Sequence, residues 1–459
     1  MIRPMKSAIF DPEVKELIVK ETRRQSEVLE MIPSENYASA AVREAVSSVF
    51  INKYAEGTVG KRFYQGNWVV DELEALCKQR ALELFKLSEK KWGVNVQALS
   101  GSPANLAVYN ALLQPGDRIM SMYLPDGGHL SHGWELPDKK VTLVSKTWEI
   151  TFYHVDRVTR VFNYEKIREL AVRLKPKMLI SGGTAYPREI NHQKMGEIAH
   201  AVGAYYMADI AHEAGLVAAG VNTSPFPFAD VVTMTTHKTL RGPRGAMIFT
   251  RRTSEAKLDY QTEENLDKSV LVDQSVFPGI QGGPHEHTIA GVAVALGEAL
   301  KPEFKEYAKQ VVKNAQVLAE IFLKNGFDVV SGGTDKHLIL LDLRSVKTSA
   351  WIAAWALEYA NIVVNRNTVP YETGSSFYPS GIRLGTPAVT TRGMKEKEMQ
   401  IIGEWMMEVF REVAHYRIPE NKDERQQFRK SVRQELEMNK LLQSIAGSVK
   451  LLTQKYPVP

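Results

Sequence analysis

The sequence predicts an α/β protein with a mostly parallel sheet, and three observations carry that expectation. Between about residues 68 and 300, helical stretches alternate with short β-branched runs such as Lys177-Met178-Leu179-Ile180 and Val231-Val232-Thr233-Met234. Two of these runs end in polar residues suited to chemistry, Asp209 and Lys238, at the carboxyl ends of strands where open α/β sheets take their ligands. The chain of 459 residues is long enough for two or three domains around a large core.

From the N-terminus, residues 11–32 carry apolar positions at helical spacing up to Pro33, and they are assigned to an arm spanning 1–48. A larger domain is expected over 49–292. Within it Asp71 to Cys77 reads as helix, Val94 to Leu99 as an apolar strand-like run, Ala104 to Leu113 as helix, and Lys194 to Val202 as the helix before a strand at Tyr205. Pro187, Pro225, Pro227 and Pro243 punctuate loops. The polar stretch 253–275 reads as an exposed excursion. Thr288 to Leu300, rich in Ala, Val and Gly, reads as a buried helix leading into a second domain over 293–459. That domain mixes helices with strands at His337–Leu341 and Asn361–Val364, and it ends in a charged amphipathic helix from about 420.

Charged residues at 24% and hydrophobic ones at 44% describe an ordinary soluble chain. A net charge of +5 without long basic runs gives no case for nucleic acid. The one cysteine, Cys77, rules out an internal disulfide and fits a reducing compartment. No N-terminal signal and no apolar segment of membrane-spanning length is visible, so a cytoplasmic location and no membrane association are expected.

The chemistry centres on Thr235-Thr236-His237-Lys238-Thr239-Leu240-Arg241-Gly242-Pro243, a lysine among hydroxyl residues between a strand and a glycine-proline turn. An amine held there is partly desolvated and serves as a nucleophile. Asp209, 29 residues earlier, closes the apolar run from Ala204. A lysine and a carboxylate at strand ends suit pyridoxal phosphate, which needs an amine for its aldehyde and an anion for its protonated ring nitrogen. The plainer alternatives are a solvated lysine and a helix-capping aspartate. Ser100-Gly101-Ser102 opens a helix and suits a phosphate, although such residues also make simple caps. Gln281-Gly282-Gly283-Pro284 is a second turn with accessible backbone, whereas Gly57-Thr58-Val59-Gly60-Lys61 has the wrong glycine spacing for a nucleotide P-loop. His129, His132, His285 and His287 lack a matching cysteine or carboxylate set, so no metal is expected. Arg383, within Ser380-Gly381-Ile382-Arg383-Leu384-Gly385-Thr386-Pro387, either grips a ligand carboxylate or forms a structural ion pair.

Together these motifs resemble the serine hydroxymethyltransferase family, within the aspartate-aminotransferase fold type (fold type I) of pyridoxal-phosphate enzymes. The resemblance runs from Pro33-Ser34-Glu35-Asn36-Tyr37 into the C-terminal domain. It includes Asn52 to Gly57, Gly60-Lys61-Arg62-Phe63-Tyr64, Gly127 to His132, Thr235 to Gly245, Gln281 to Pro284 and Ser380 to Pro387. It implies a large domain with a mostly parallel sheet, a smaller α+β C-terminal domain and a helical N-terminal arm. It further implies that Lys238 binds the cofactor covalently, that Asp209 faces the ring nitrogen, and that His212 and Thr184 hydrogen-bond around the ring hydroxyl and substrate. Ser100, Gly101 and Ser102 would hold the phosphate, aided by Gly282 and Gly283 of a neighbouring subunit, with Asp126 and His237 also on the cofactor. Thr235 is counted with the catalytic residues.

Arg383, assisted by Ser34, would clamp the substrate carboxylate. Tyr54, Glu56 and Tyr64 would come from the partner of an obligate homodimer (or a tetramer), Glu56 moving the proton between serine hydroxyl and folate, and Asn367 would contact the pterin. The reaction implied is serine–glycine interconversion, with the one-carbon unit passed to tetrahydrofolate or a modified pterin. Asp126 stands where the family commonly has a histidine, in the pattern Pro125-Asp126-Gly127-Gly128-His129, which resembles archaeal-type members and threonine-cleaving branches. The rival readings are a threonine or β-hydroxy-amino-acid aldolase or transaldolase on the same scaffold, and a non-catalytic binding or scaffold protein. Retention of Glu56 and Asn367 favours folate use, and intact Lys238, Asp209 and Arg383 speak against the non-catalytic reading.

Overall fold

The structure, a computed structural model, describes residues 11–252, 266–375 and 377–459. Seven strands form the main sheet: β1 (Trp92–Asn95), β2 (Arg118–Met122), β3 (Glu149–Tyr153), β4 (Met178–Ser181), β5 (Tyr205–Asp209), β6 (Val231–Thr235) and β7 (Ala246–Arg251). Their spatial order is β1-β7-β6-β5-β4-β2-β3. From β6 to β3 every neighbour is parallel, while β7 runs antiparallel to both β6 and β1. All residues of β4 and β6 are buried, which explains why they read as unbroken apolar runs: a sheet covered on both faces has no polar side. Successive residues feed opposite layers, Tyr206 and Val232 joining one core and Met207 and Val231 the other. Asp209 pairs in register with Thr233, so it ends level with the strand that leads into Lys238.

Helix α1 (Pro12–Glu27) starts with proline in its first turn, and the Asp11 carboxylate accepts from the Glu13 and Val14 amides. It ends short of the expected Pro33. Leu29 and Met31 instead donate their amides to the carbonyls of Asn361 and Val363, and Leu29–Glu30 runs parallel to Ile362–Val363. That pairing buries Leu29 and Met31 completely, which an exposed helix would not have done. Helix α2 (Gly101–Leu112) packs on one face of the sheet, Ala104, Ala107 and Val108 sharing a core with Met178, Met207 and Val231.

The stretch expected as an excursion departs from that reading. Residues 253–265 lie outside the described residues, but the remainder forms helix α3 (Lys268–Gln274), with Ser269, Val270 and Val272 buried. The Asp267 carboxylate caps it through the Ser269 amide at 2.8 Å. A Cβ on Gly93 of β1 would meet Ser269 Cβ at 2.4 Å, so the bare glycine lets this helix close against the sheet. Helices α4 (Glu286–Ala299) and α5 (Pro302–Lys324) follow, the first almost wholly buried as its composition suggested.

A second sheet contains β8 (Asp328–Val329), β9 (Leu338–Asp342), β10 (Asn365–Asn367) and β11 (Gly381–Gly385), antiparallel throughout in the order β8-β9-β11-β10. Helices α6 (Ala350–Tyr359), α7 (Glu396–Glu412), α8 (Lys422–Glu437) and α9 (Lys440–Lys455) share its core. The terminal helix anticipated from residue 420 is therefore two, divided where the Asn439 side chain accepts from the Leu441 and Leu442 amides. Cys77 lies on the helix Trp68–Leu84, fully buried, and burial pushes its thiol up to about 12. It is an inert core residue. Among the described residues no helix is long and apolar enough to cross a membrane.

Candidate active site

The turn after β6 is held by its own hydroxyls. Thr236 Oγ1 donates to the Pro243 carbonyl at 2.6 Å, Thr235 Oγ1 to the Ala211 carbonyl at 3.1 Å, and Thr239 Oγ1 to the His212 carbonyl at 3.0 Å. Asn36, in the segment after α1, donates to the Lys238 carbonyl at 2.9 Å. These bonds fix the Lys238 backbone and tie the end of β6 to the loop after β5. The Lys238 amine points into a cavity of about 300 Å³, with no salt bridge to it among the described residues. Burial lowers its pKa from the ordinary 10.5 to about 8, opposed by Asp209 and reinforced by Arg383 and Arg244.

Asp209 lines the same cavity. Its Oδ2 accepts from Asn105 Nδ2 at 2.8 Å and His132 Nε2 at 2.9 Å, and its Oδ1 from the Ala211 amide at 3.0 Å. Burial by itself would raise its pKa, but the His132 bond and the charges of His132 and His129 outweigh it and hold the group well below the usual carboxylate range. Asp209 is thus a fixed anion, not a solvent-facing cap.

Ser100, Gly101 and Ser102 line the cavity at the start of α2, a 12-residue helix whose Ser100 side chain makes no capping bond to it. The amides of Gly101 and Ser102 have no partner among the described residues and are open to an anion, while Pro103 has no N–H to offer. A Cβ on Gly101 would come within 2.8 Å of Thr235 Cγ2, so the close approach of helix and strand here depends on the missing side chain. His237 reaches the cavity with Nδ1 buried and without a partner among the described residues, and burial lowers its pKa to about 3.

Arg383 on β11 is 7% exposed and bonds only neutral acceptors: Asn365 Oδ1 at 2.9 Å, the Thr184 carbonyl at 2.6 Å and Thr184 Oγ1 at 2.7 Å. It has no ion pair among the described residues, so the structural-ion-pair alternative finds no partner. A buried guanidinium facing only neutral groups is complementary to an incoming carboxylate. Arg383 does not itself line the cavity, but Thr184, which it bonds, lines it together with Ser34 and His212.

Several expected residues stand elsewhere. Asp126 does not line the cavity: its carboxylate accepts from His154 Nδ1 at 2.9 Å and the Val155 amide at 3.3 Å. The cause is the turn that follows it. Gly127 has φ +119°, and a Cβ on Gly128 would sit 2.3 Å from the Met122 carbonyl oxygen. That turn sends Asp126 back toward the end of β3 and brings His129 to the cavity instead. In the sequence His129 stood within the Gly127 to His132 motif and in a histidine pair considered for metal, without a role of its own. The structure supplies the carboxylate missing from that pair, since His129, His132 and Asp209 place ligand atoms within 4.8 Å of one another. All three already have hydrogen-bond partners: His129 Nδ1 bonds Ser131 Oγ at 2.7 Å, and His132 bonds Asp209.

Tyr54, Glu56 and Tyr64 do not reach this chain's own cavity. They form a separate group with Gly282 and Gly283, in which Tyr54 donates to Glu56 at 3.2 Å and a Cβ on Gly283 would meet the Tyr54 ring at 3.4 Å. This group lies on a face with exposed Val49, Ile51, Phe63 and Trp68. Asn367, half-buried on β10, also lies outside the cavity, while its neighbour Asn365 is the one that bonds Arg383. Asn105 and Asn365 carried no local signal that pointed to the site, whereas Glu35 and Arg244 lay within two quoted motifs but were given no role.

A fixed buried anion, a lysine of lowered pKa and the start of α2, gathered at the strand ends of an α/β sheet, are the arrangement expected of an enzyme that works through a lysine amine and an anionic cofactor. The family model for serine hydroxymethyltransferase matches residues 8–406. A serine hydroxymethyltransferase of Acidothermus cellulolyticus is 46% identical over 98% of this chain and 96% of its own length. The chloroplastic serine hydroxymethyltransferase 3 of Arabidopsis thaliana is 45% identical over 98% and 83%. A probable cytosolic serine hydroxymethyltransferase of Schizosaccharomyces pombe is 49% identical over 87% and 85%. The chain belongs to the serine hydroxymethyltransferase family, whose members are pyridoxal-phosphate-dependent enzymes of fold type I.

Proposed function

We propose that this chain interconverts serine and glycine, passing the one-carbon unit to tetrahydrofolate as the 5,10-methylene derivative, with pyridoxal phosphate as its cofactor. The observation that carries this reading is Lys238, a buried amine without a carboxylate partner among the described residues, sharing one cavity with Asp209 and the start of α2. The residues present fit the cofactor. Free amides at Ser100–Ser102 suit its phosphate, the ionised Asp209 suits its protonated ring nitrogen, and Lys238 suits its aldehyde. His129, His212 and Thr184 border the space a ring would take. When bound, the cofactor supplies an electron sink for the α-carbon of the amino acid.

The chain's own residues then have distinct tasks. Arg383 holds the substrate carboxylate, and Asn365 and Thr184 keep its guanidinium in plane. Lys238, half neutral near pH 8, gives and takes protons beside the α-carbon. Glu56, supplied by the partner of a homodimer together with Tyr54 and Tyr64, handles the proton of the serine hydroxyl, with Asn367 toward the pterin. The exposed apolar face that carries Glu56 supports this shared arrangement. A cytoplasmic location belongs to the same proposal, supported by the cytosolic relative, although other relatives bear mitochondrial and chloroplastic names. The aldolase reading finds no support among the relatives described.

The deciding experiment measures glycine formation from serine with pyridoxal phosphate, with and without tetrahydrofolate. Strong dependence on tetrahydrofolate is expected; turnover of threonine but not serine under both conditions would overturn the reading. A second expectation concerns the shared site. Glu56→Gln lowers kcat with tetrahydrofolate by about 10² to 10⁴ and leaves cofactor binding intact. When inactive Glu56→Gln and Lys238→Ala proteins are dissociated and reassociated together, activity returns, because a mixed dimer contains one site with both residues. Failure of that complementation would place Glu56 on its own subunit's site.

A further inference from the structure

His212 lies between the cavity and a second buried imidazole. Its Nε2 faces Thr184 Oγ1 at 3.4 Å and its Nδ1 faces Nε2 of His337 at 3.2 Å. The two rings are 5.4 Å apart and inclined by 21°. His337 immediately precedes β9, in the second sheet, and its carbonyl accepts from the Thr386 amide at 3.1 Å. It is wholly buried, and its Nδ1 meets no hydrogen-bond partner among the described residues.

A neutral imidazole has one proton to place. On Nδ1 of His337 that proton would be a donor stranded in the interior, at the full cost of desolvation. On Nε2 it donates to Nδ1 of His212. Nδ1 of His212 then acts as acceptor, and the proton of His212 stays on Nε2, toward Thr184 and the cavity. Thr184 Oγ1, already bonded by Arg383 at 2.7 Å, retains a second lone pair for it. Both rings are neutral in this setting. Burial drives their pKa values well below the ordinary range, and the cations Lys238 and Arg383 act on both in the same direction, with Lys336 adding to the effect at His337.

We propose that His337 is a positioning residue that fixes His212 as an Nε2–H donor facing Thr184 and the cavity, the donor that the ring oxygen of the cofactor takes up. Only the last clause rests on the pyridoxal-phosphate reading; the tautomer is a property of the protein without cofactor. It acts through His212 and touches no reacting atom.

The test uses full-length protein labelled with ¹⁵N-histidine, with and without pyridoxal phosphate. Two-bond ¹H–¹⁵N correlations are expected to show His212 and His337 both protonated on Nε2 before cofactor is added. A His212 proton on Nδ1 overturns the proposal outright, whatever the reaction proves to be. His337→Phe keeps a ring but removes the donor; it is expected to give His212 a mixed tautomer pattern and about ten- to a hundredfold weaker pyridoxal phosphate binding, with a shifted visible absorption band. His337→Gln, whose amide offers a donor near the same place, should recover most of both. Parent affinity and spectrum in the Phe variant would overturn the positioning role. If the Phe variant does not fold, the Gln variant decides: parent-like spectrum and affinity support the proposal, and loss of both overturns it.

Discussion

Replacing Lys238 by alanine is expected to cut serine turnover by at least about 10³-fold while the protein remains folded. No salt bridge is lost, since the amine has none among the described residues, and its burial is uncompensated by any adjacent carboxylate bond. The thermal midpoint of the cofactor-free variant should therefore equal or exceed that of the parent. Borohydride reduction in the presence of pyridoxal phosphate should label the parent at Lys238, and this label should vanish in the variant. The pH dependence has a definite sign. The pKa is lowered to about 8, so the neutral, reactive amine grows as pH rises through 8, where an ordinary lysine would need a pH near 10.5. Labelling rates measured from pH 6 to 11 check this. A midpoint near 10.5 would mean that the amine is solvated and that the cavity does not desolvate it.

Arg383 carries the second large effect. Arg383→Ala is expected to lower kcat/KM for serine by about two to three orders of magnitude, the usual consequence of removing one partner of a desolvated charge pair. Most of the loss should appear in KM, with affinity for pyridoxal phosphate little changed, because Arg383 faces Thr184 and Asn365 and not the start of α2, where the phosphate is proposed to sit. Arg383→Lys should rescue poorly. An ammonium cannot donate to Asn365 and Thr184 and still present two parallel N–H groups to a carboxylate. Serine titrations followed by cofactor absorbance, alongside steady-state rates, separate the two contributions. A lysine variant with parent KM would show that Arg383 serves the packing of β11 and not the substrate.

Much of this architecture was legible beforehand because its signals are local. A doubly covered parallel sheet leaves buried β-branched runs, and β4, β5 and β6 fell where such runs predicted. Lys238 and Asp209 stood out because each closes one of these runs, and strand ends are where such sheets expose function. The same local logic failed for α3. A polar composition suggested exposure over 266–275, yet Gly93 opens a slot on β1 that buries one face of the helix. It also failed for the short strand Leu29–Glu30 after α1, whose pairing partner Ile362–Val363 is more than 300 residues away in the chain.

The sequence by itself determined the α/β class and pointed to the lysine, the carboxylate and the helix start at Ser100–Ser102, since these follow from periodicity and from residues only a few positions apart. The tertiary structure alone decided which side chains share the cavity. It turned Asp126 away and His129 inward through the backbone path at Gly127 and Gly128. It brought Arg383 from the second sheet onto Thr184, in the loop after β4, and it set His337 behind His212. It also grouped Glu56 with Tyr54 and Gly283 on an exposed face, away from Lys238. Such juxtapositions depend on sheet register, turn handedness and the packing of one sheet against another, interactions between segments far apart in the chain that leave no periodic trace in either segment.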